Sequence, residues 1–393
     1  MKILFLDQSG NVGGAELCLS DIANPYKENC LVGLLADGPF REYLEQQQIP
    51  VEVLTNQSIH VRKESNLLQS LTGASSLVPL IIKIVDLARN YDLIYTNTPK
   101  ALVVGAIASL FVRLPFVYHL HDILSSQHFS FTNRRIAIAL ANRASLVIAN
   151  SEATRTAFIE TGGRSELVKV VYNGFDPKLY QSCKEQRIKL RQQLKLDQYF
   201  VVGHFSRLSP WKGQHILLEA LAHCPDNVKA IFVGDALFGE QDYVQQLYQK
   251  VAKFGLETRV QFLGFRSDIV PLMSACDLIA HTSTAPEPFG RVIIEGMLCG
   301  RPVVAADAGG ATELVAPGKT GWLFPPENSQ QLATIITTCY QQPERTATIA
   351  NNGQRQASQR FQLAEINRLI SELLDRALVS SFNHYHHSNF DIH

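Results

Sequence analysis

Two doubly wound α/β domains, one after the other, are the fold class this sequence predicts. Three observations carry it. Short apolar runs alternate with longer amphipathic segments, that alternation occurs twice, and a polar stretch divides the two halves. In the first half, runs over 3–6, 31–35, 93–95, 116–119 and 146–149 have the composition of buried parallel strands, with helical patterns over 15–23, 77–89, 101–112 and 134–141 between them. In the second half, strand patterns over 200–204, 230–233, 260–262, 278–280 and 303–305 alternate with helical patterns over 211–222, 242–254, 292–299 and 330–340. Repeated strand–helix units imply parallel sheets covered on both faces. The turn Asn173-Gly174-Phe175-Asp176-Pro177 and the polar run after it divide the chain. The expected organisation is a first domain over 1–175, a linker over 176–198, a second domain over 199–360, a terminal helix over 361–379 and a flexible tail over 380–393. Two such domains facing each other make a deep cleft, and ligands of open α/β sheets sit beyond the carboxyl ends of the strands.

The chain has 393 residues, which at about 150 per domain allows two or three domains. Hydrophobic residues make up 46% and charged residues 18%, enough for substantial cores. Lys plus Arg and Asp plus Glu both count 36, so the net charge is zero and gives no reason to expect nucleic acid as a partner. The seven cysteines (Cys18, Cys30, Cys183, Cys224, Cys276, Cys299 and Cys339) are odd in number and never spaced Cys-x-x-Cys. That argues against a zinc site or a disulfide framework and for thiols buried in a reducing compartment. The opening apolar run ends at Asp7 and is too short for a signal peptide, and the apolar stretch 101–112 is too short to cross a bilayer. A cytoplasmic protein is expected, with peripheral contact at the inner face of a membrane left open. The basic pairs Arg62-Lys63 and Arg134-Arg135 are either headgroup contacts or solvated surface.

The chemistry-bearing motifs follow strands. Gly13 and Gly14, in Gly10-Asn11-Val12-Gly13-Gly14-Ala15-Glu16, are either a loop that approaches a phosphate or a tight strand-to-helix turn. The dinucleotide fingerprint Gly-x-Gly-x-x-Gly is not present there, which weighs against a nicotinamide enzyme. His121 closes His119-Leu120-His121, with Asp122 behind it to orient or charge it; the alternative is a packed histidine bonded to backbone. Arg207 and Lys212 share the loop Ser206–Gly213, where a guanidinium fork and a compact ammonium suit phosphate oxygens. Gly318-Lys319-Thr320 is not an ATP phosphate loop, because Glu313 stands where that motif needs glycine. The most informative string is Glu287-Pro288-Phe289-Gly290-Arg291-Val292-Ile293-Ile294-Glu295. The amides of Phe289, Gly290 and Arg291 at a helix start can face a diphosphate. Glu295 can accept two hydrogen bonds from a ribose diol, and Glu287, at the mouth, can reach a sugar. A further loop, Ala308-Gly309-Gly310-Ala311-Thr312-Glu313, faces the same cleft.

Together these strings resemble the retaining glycosyltransferases of family 4 (group 1), which have the GT-B fold of two facing Rossmann-like domains. The resemblance spans nearly the whole chain. It implies that Arg207 and Lys212 hold a donor diphosphate, that Glu295 binds the ribose, and that Glu287 contacts the donor sugar. Gly13 and Gly14 would approach the phosphate or acceptor, His121 would line the reaction centre, and Leu263, Gly264, Phe265 and Arg266 would lie beside the nucleobase. The terminal helix would pack back on the first domain. Arg291 stands where many relatives have an aliphatic residue, so its role is open.

The expected donor is a UDP-, GDP- or ADP-sugar and the expected acceptor a glycan or lipid-linked glycan of polysaccharide or glycoconjugate synthesis. No cofactor is expected. No Asp-x-Asp pair occurs, and Arg207, Lys212 and the helix start could carry the leaving-group charge without a metal. Same-face attack, with the leaving phosphate taking the acceptor's proton, is what the resemblance implies. Two rivals use the same features: a non-hydrolysing sugar-nucleotide 2-epimerase and a non-catalytic nucleotide-sugar-binding scaffold.

Overall fold

In the computed structural model, residues 1–55, 73–124, 129–181, 184–236 and 239–387 are described. The pair Arg62-Lys63, Cys183 and the tail beyond His387 lie outside them. The chain divides into two compact units, one of Met1–Gly174 with the terminal segment from Leu363, the other of Phe175–Gln362.

The first unit is built on β1 (Ile3–Asp7), β2 (Cys30–Leu34), β3 (Val51–Val53), β4 (Leu93–Thr96), β5 (Phe116–Leu120), β6 (Leu146–Ala149) and β7 (Val168–Val170). All pair in parallel, in the order β3-β2-β1-β4-β5-β6-β7. The helices α1 (Gly14–Ala23), α2 (Pro39–Gln46), α3 (Gly73–Ala88), α4 (Pro99–Val112), α5 (Phe131–Ala141) and α6 (Glu152–Glu160) make the crossovers. Every residue of β1, β4, β5 and β6 is buried, as expected of central strands in a sheet covered on both faces.

The second unit repeats the plan with β8 (Phe200–Phe205), β9 (Val228–Val233), β10 (Val260–Phe262), β11 (Leu278–His281), β12 (Val303–Ala306) and β13 (Trp322–Phe324). Their order is β10-β9-β8-β11-β12-β13, again all parallel. Around them lie α7 (Lys184–Gln193), α8 (Gln214–Leu221), α9 (Gln241–Lys253), α10 (Ile269–Ala275), α11 (Arg291–Leu298), α12 (Ala311–Leu314), α13 (Ser329–Gln341) and α14 (Pro343–Arg360). In both sheets the strand order reverses beside the first strand, between β1 and β4 and between β8 and β11. Such reversals open the crevice where ligands bind.

Several elements differ from the sequence expectation for identifiable reasons. The linker expected over 176–198 belongs to the second unit, because α7 is fastened to it by arginines rather than by an apolar stripe. Arg187 and Arg191 donate to the Asp277 carboxylate at 2.7 and 3.0 Å, and Arg191 also donates to the Ala275 carbonyl at 2.7 Å. The helix expected over 211–222 begins only at Gln214, because Gly213 takes φ +69° and ends a short 3-10 turn over Pro210–Lys212. Polar α14 hides its stripe in small residues: Thr346, Ile349, Ala350, Gly353 and Ala357 are its buried positions.

The terminal helix α15 (Leu363–His387) continues past the expected end at 379. Ile366, Ile370, Leu374 and Ala377 fall on one face and join the core of Ile3, Phe5, Val117 and Ile148. Among the described residues no helix is long and apolar enough to cross a membrane.

Candidate functional site

At the β1/β4 switch point of the first unit the predicted His121 is joined by two residues the motifs did not single out, Asp7 and Asn97. Asp7 ends β1, Asn97 follows β4, and His121 follows β5. The Asn97 amide donates to Asp7 Oδ2 at 2.7 Å, which fixes its orientation and leaves its oxygen to accept from His121 Nε2 at 2.9 Å. His121 is thus linked through Asn97 to the buried Asp7 carboxyl group. The His119 ring lies 3.9 Å from that of His121, and its Nδ1 meets the Tyr95 hydroxyl at 2.7 Å.

Burial disfavours charge throughout this cluster. Burial pushes Asp7 up to about 6 and Asp122 up to about 6. Burial, then the neighbouring Asp7, pushes Glu16 up to about 8. Burial, then His121, holds His119 well below the usual imidazole range. Gly13 earns its place locally: a Cβ there would sit 2.6 Å from Glu16 Oε2, so the glycine admits the folded-back glutamate. Among the described residues the group able to hold a metal is Cys18, His119 and His121, whose ligand-type atoms all lie within 4.8 Å of one another.

The second unit gathers a different set beyond β8 and β11. Lys212 Nζ donates to Glu287 Oε1 at 2.6 Å, while His281 Nε2 and Ser283 Oγ meet Glu287 Oε2 at 2.5 and 2.7 Å. Lys212 also lies over the Trp211 ring, 4.1 Å from its centroid. Lys212 and Glu287, expected to meet phosphate and sugar separately, are therefore an ion pair. The Glu287 side chain is only 13% exposed, so it is inside rather than at a mouth. Burial pushes its acid up, but Lys212 and then His281 outweigh that and hold it well below the carboxylate range. His204, behind them, is pushed down to about 3 by burial and then by His281. The backbone is locked to match. Thr282 Oγ1 donates to the Lys212 and Gly213 carbonyls at 3.0 and 2.8 Å, and a Cβ on Gly213 would lie 1.9 Å from the Thr282 oxygen.

Around this centre, Arg207 Nε lies 3.6 Å from Glu240 Oε2. Gly290 takes φ +97° and caps α11, which starts at Arg291 rather than near Phe289. Phe289 is buried against Phe175 and Phe361. Arg291 lies 4.5 Å over the Phe175 ring and 3.4 Å from Glu295 Oε1. The loop after β10 holds Leu263, then Gly264 at φ +64°, then Phe265, 77% exposed, then Arg266 clamped to both Asp268 oxygens. Gly309 and Gly310 pack against the backbone of the Glu287 loop. Their Cβ atoms would fall 2.4 Å from the Glu287 carbonyl and 2.5 Å from the Pro288 carbonyl. Pro317–Gly321 is a turn closed by a Gly318 to Gly321 backbone bond.

Sequence reasoning missed His281, Ser283 and Asn97. Each lies at or just after a strand's carboxyl end, the position that singled out His121, and that signal would have found them.

Two parallel doubly wound sheets carrying polar clusters at their switch points define an α/β protein with the strand order of Rossmann-like domains. The comparisons give its family. The profile described as Glycosyl transferases group 1 matches residues 186–356, and that described as Glycosyltransferase Family 4 matches residues 12–179. HepE of Anabaena, solved with UDP-glucose, is 63% identical, with 96% of this chain and 100% of that one covered at a TM-score of 0.89. The chain belongs to the family 4, group 1 glycosyltransferases, and its fold is GT-B. Among curated relatives, spore coat protein SA of Bacillus subtilis is 31% identical over 49% of this chain and 54% of its own length. A GDP-mannose-dependent phosphatidylinositol monomannoside mannosyltransferase of Mycolicibacterium smegmatis is 29% identical over 60% of this chain and 63% of its own. The chain thus spans between half and two thirds of the length of these two curated relatives. WaaG, at 17% identity and a TM-score of 0.71, shares the fold.

Proposed function

We propose that this protein transfers a hexosyl unit, glucose first among candidates, from a UDP-sugar to a glycan or lipid-linked acceptor, with retention and without a metal. The observation that carries this reading is the Lys212–Glu287–His281 cluster at the β8/β11 switch point. It sits in a chain 63% identical to HepE, which has been solved with UDP-glucose and with UDP and glucose.

Lys212 and Arg207 are the cations offered to the diphosphate. An arriving phosphate competes with Glu287 for Lys212, since both are anionic acceptors of charge-assisted hydrogen bonds. His281 and Ser283 keep Glu287 ionised and placed for a sugar hydroxyl while Lys212 turns to phosphate. The amides at the start of α11 add donors where leaving-group charge develops. Glu295 is assigned to the ribose, and the exposed Phe265 beside Gly264 to stacking on the base. His121, donating through Nε2 to Asn97, is assigned to the reacting sugar. Retention follows if the leaving phosphate takes the acceptor's proton on the face it departs from. Arg134 and Arg135, the latter over the exposed Phe131 ring at 5.5 Å, are the residues offered to an anionic membrane surface.

Calorimetry with UDP, GDP and ADP in EDTA tests the donor assignment. UDP is expected to bind at least tenfold tighter than the others, and Glu295→Ala to weaken its binding. Equal affinities, or binding that requires a divalent cation, would overturn it.

A further inference from the structure

The cluster at the β1/β4 switch point holds a buried ring nitrogen that packing does not account for. His119 is 1% exposed, and its Nε2 has no hydrogen-bond partner among the described residues. Folded proteins seldom leave such an atom unmet, so it points to a role beyond packing. Cys18, 3% exposed on α1, and His121, half-buried after β5, stand beside it. The donor atoms of the three residues all lie within 4.8 Å of one another. Zinc holds a thiolate at about 2.3 Å and an imidazole nitrogen at about 2.0–2.1 Å, so two such bonds reach about 4.4 Å and a small inward turn of the side chains closes the set. A bare ion needs no cavity beyond the space between its donors, and the half-buried His121 is the way in.

Both histidines are oriented as metal-ligating imidazoles are, with one nitrogen tied to an outer partner. His119 Nδ1 meets the Tyr95 hydroxyl at 2.7 Å, and with the phenol oxygen accepting there, the lone pair falls on Nε2. His121 Nε2 donates to Asn97 Oδ1 at 2.9 Å, which puts its lone pair on Nδ1, and Asn97 is anchored in turn to Asp7 at 2.7 Å. The Cys18 thiol donates to Asn173 Oδ1 at 3.4 Å, a weak bond that gives way when the thiol ionises. One sulfur and two imidazoles suit zinc, whereas magnesium and manganese take oxygen donors.

We propose that Cys18, His119 and His121 form a site for one Zn²⁺ ion, and that filling it inhibits transfer. The ion displaces the thiol proton to solvent, forms a bond to the sulfur, and takes the His121 lone pair, with water at the fourth position. It is an inhibitor and no part of the transfer step. The inhibition rests on the assignment of His121 to the reacting sugar made above; the binding of zinc does not.

Metal titrations of the full chain, freed of metal with EDTA and then of EDTA, test this, with Zn²⁺ followed by calorimetry and Co²⁺ by absorption. Cobalt should give a thiolate-to-metal charge-transfer band in the near ultraviolet, which histidines alone do not produce. Cys18→Ser should abolish the band, and Tyr95→Phe, which removes only the outer partner of His119, should weaken zinc binding about 10–100-fold. Melting temperatures near wild type would show that the variants fold. In assays with UDP-glucose and acceptor, Zn²⁺ should inhibit wild type but not Cys18→Ser at the same concentration, and Mg²⁺ should inhibit neither. No band in wild type, or zinc affinity unchanged in both variants, would overturn the site. Zinc held by the Cys18 thiolate with turnover unaffected would overturn the inhibition and remove His121 from the reaction centre, while leaving the UDP assignment standing.

Discussion

The two units share a strand order and place their polar side chains at the same switch point, yet they treat buried charge in opposite ways. In the first unit Asp7, Glu16 and Asp122 are pushed up by burial to about 6, 8 and 6. Even the buried Lys100 is pushed down to about 8. In the second unit Glu287 is also largely enclosed but is held far below the usual range, because Lys212 and His281 face its two oxygens. Burial raises a carboxyl group unless a cation is built in against it. The first unit therefore offers a hydrogen-bonding wall whose carboxyl groups are raised, and the second sets cations against its buried carboxylate.

Removing the built-in cation should have the largest effect. Lys212→Ala leaves Glu287 without its ammonium partner and a diphosphate without its compact cation. Steady-state kinetics should show kcat/KM lower by about 10²–10³. A loss under threefold would mean that the pair is structural only.

The wall should be less sensitive. Asn97→Leu frees His121 from Asp7 without touching the second unit, and costs one buried hydrogen-bonded link. A drop in kcat of about tenfold with donor KM unchanged is expected, the pattern of a group that positions His121. A rise in KM alone would place Asn97 in donor binding instead.

The smallest effect is on stability. The Glu16 carboxyl is raised from 4.5 to about 8 in the fold. Between those values the unfolded chain gives up this proton while the folded chain keeps it, so stability is full below about pH 4.5 and falls as pH rises to about 8. Glu16→Gln removes that slope. Melts of the variant and wild type should diverge with rising pH, the variant becoming relatively more stable by at least about 1 kcal/mol. Parallel curves would show that Glu16 is hydrated.

Much of this comparison was legible in the sequence. Central strands such as 116–119 and 278–280 are unbroken apolar runs, and the Glu287–Glu295 string marks its own helix start. What escaped was held by groups that leave no periodic trace. Edge strands β3, β7 and β13 are three residues long, and α7 is attached through guanidinium bonds to Asp277. Lys212 and Glu287 are 75 residues apart, so no spacing rule pairs them; the β8/β11 adjacency does. His281 was passed over because a histidine ending an apolar strand reads as core.

Product analysis with UDP-glucose and an acceptor oligosaccharide, in EDTA, tests the central claim most directly. The expected product has a new α-glucosidic bond, seen by its anomeric proton, formed at the same rate with and without EDTA and about 10²–10³ more slowly in Lys212→Ala. A β-linked product, dependence on a divalent cation, or release of an epimerised sugar without acceptor would contradict it.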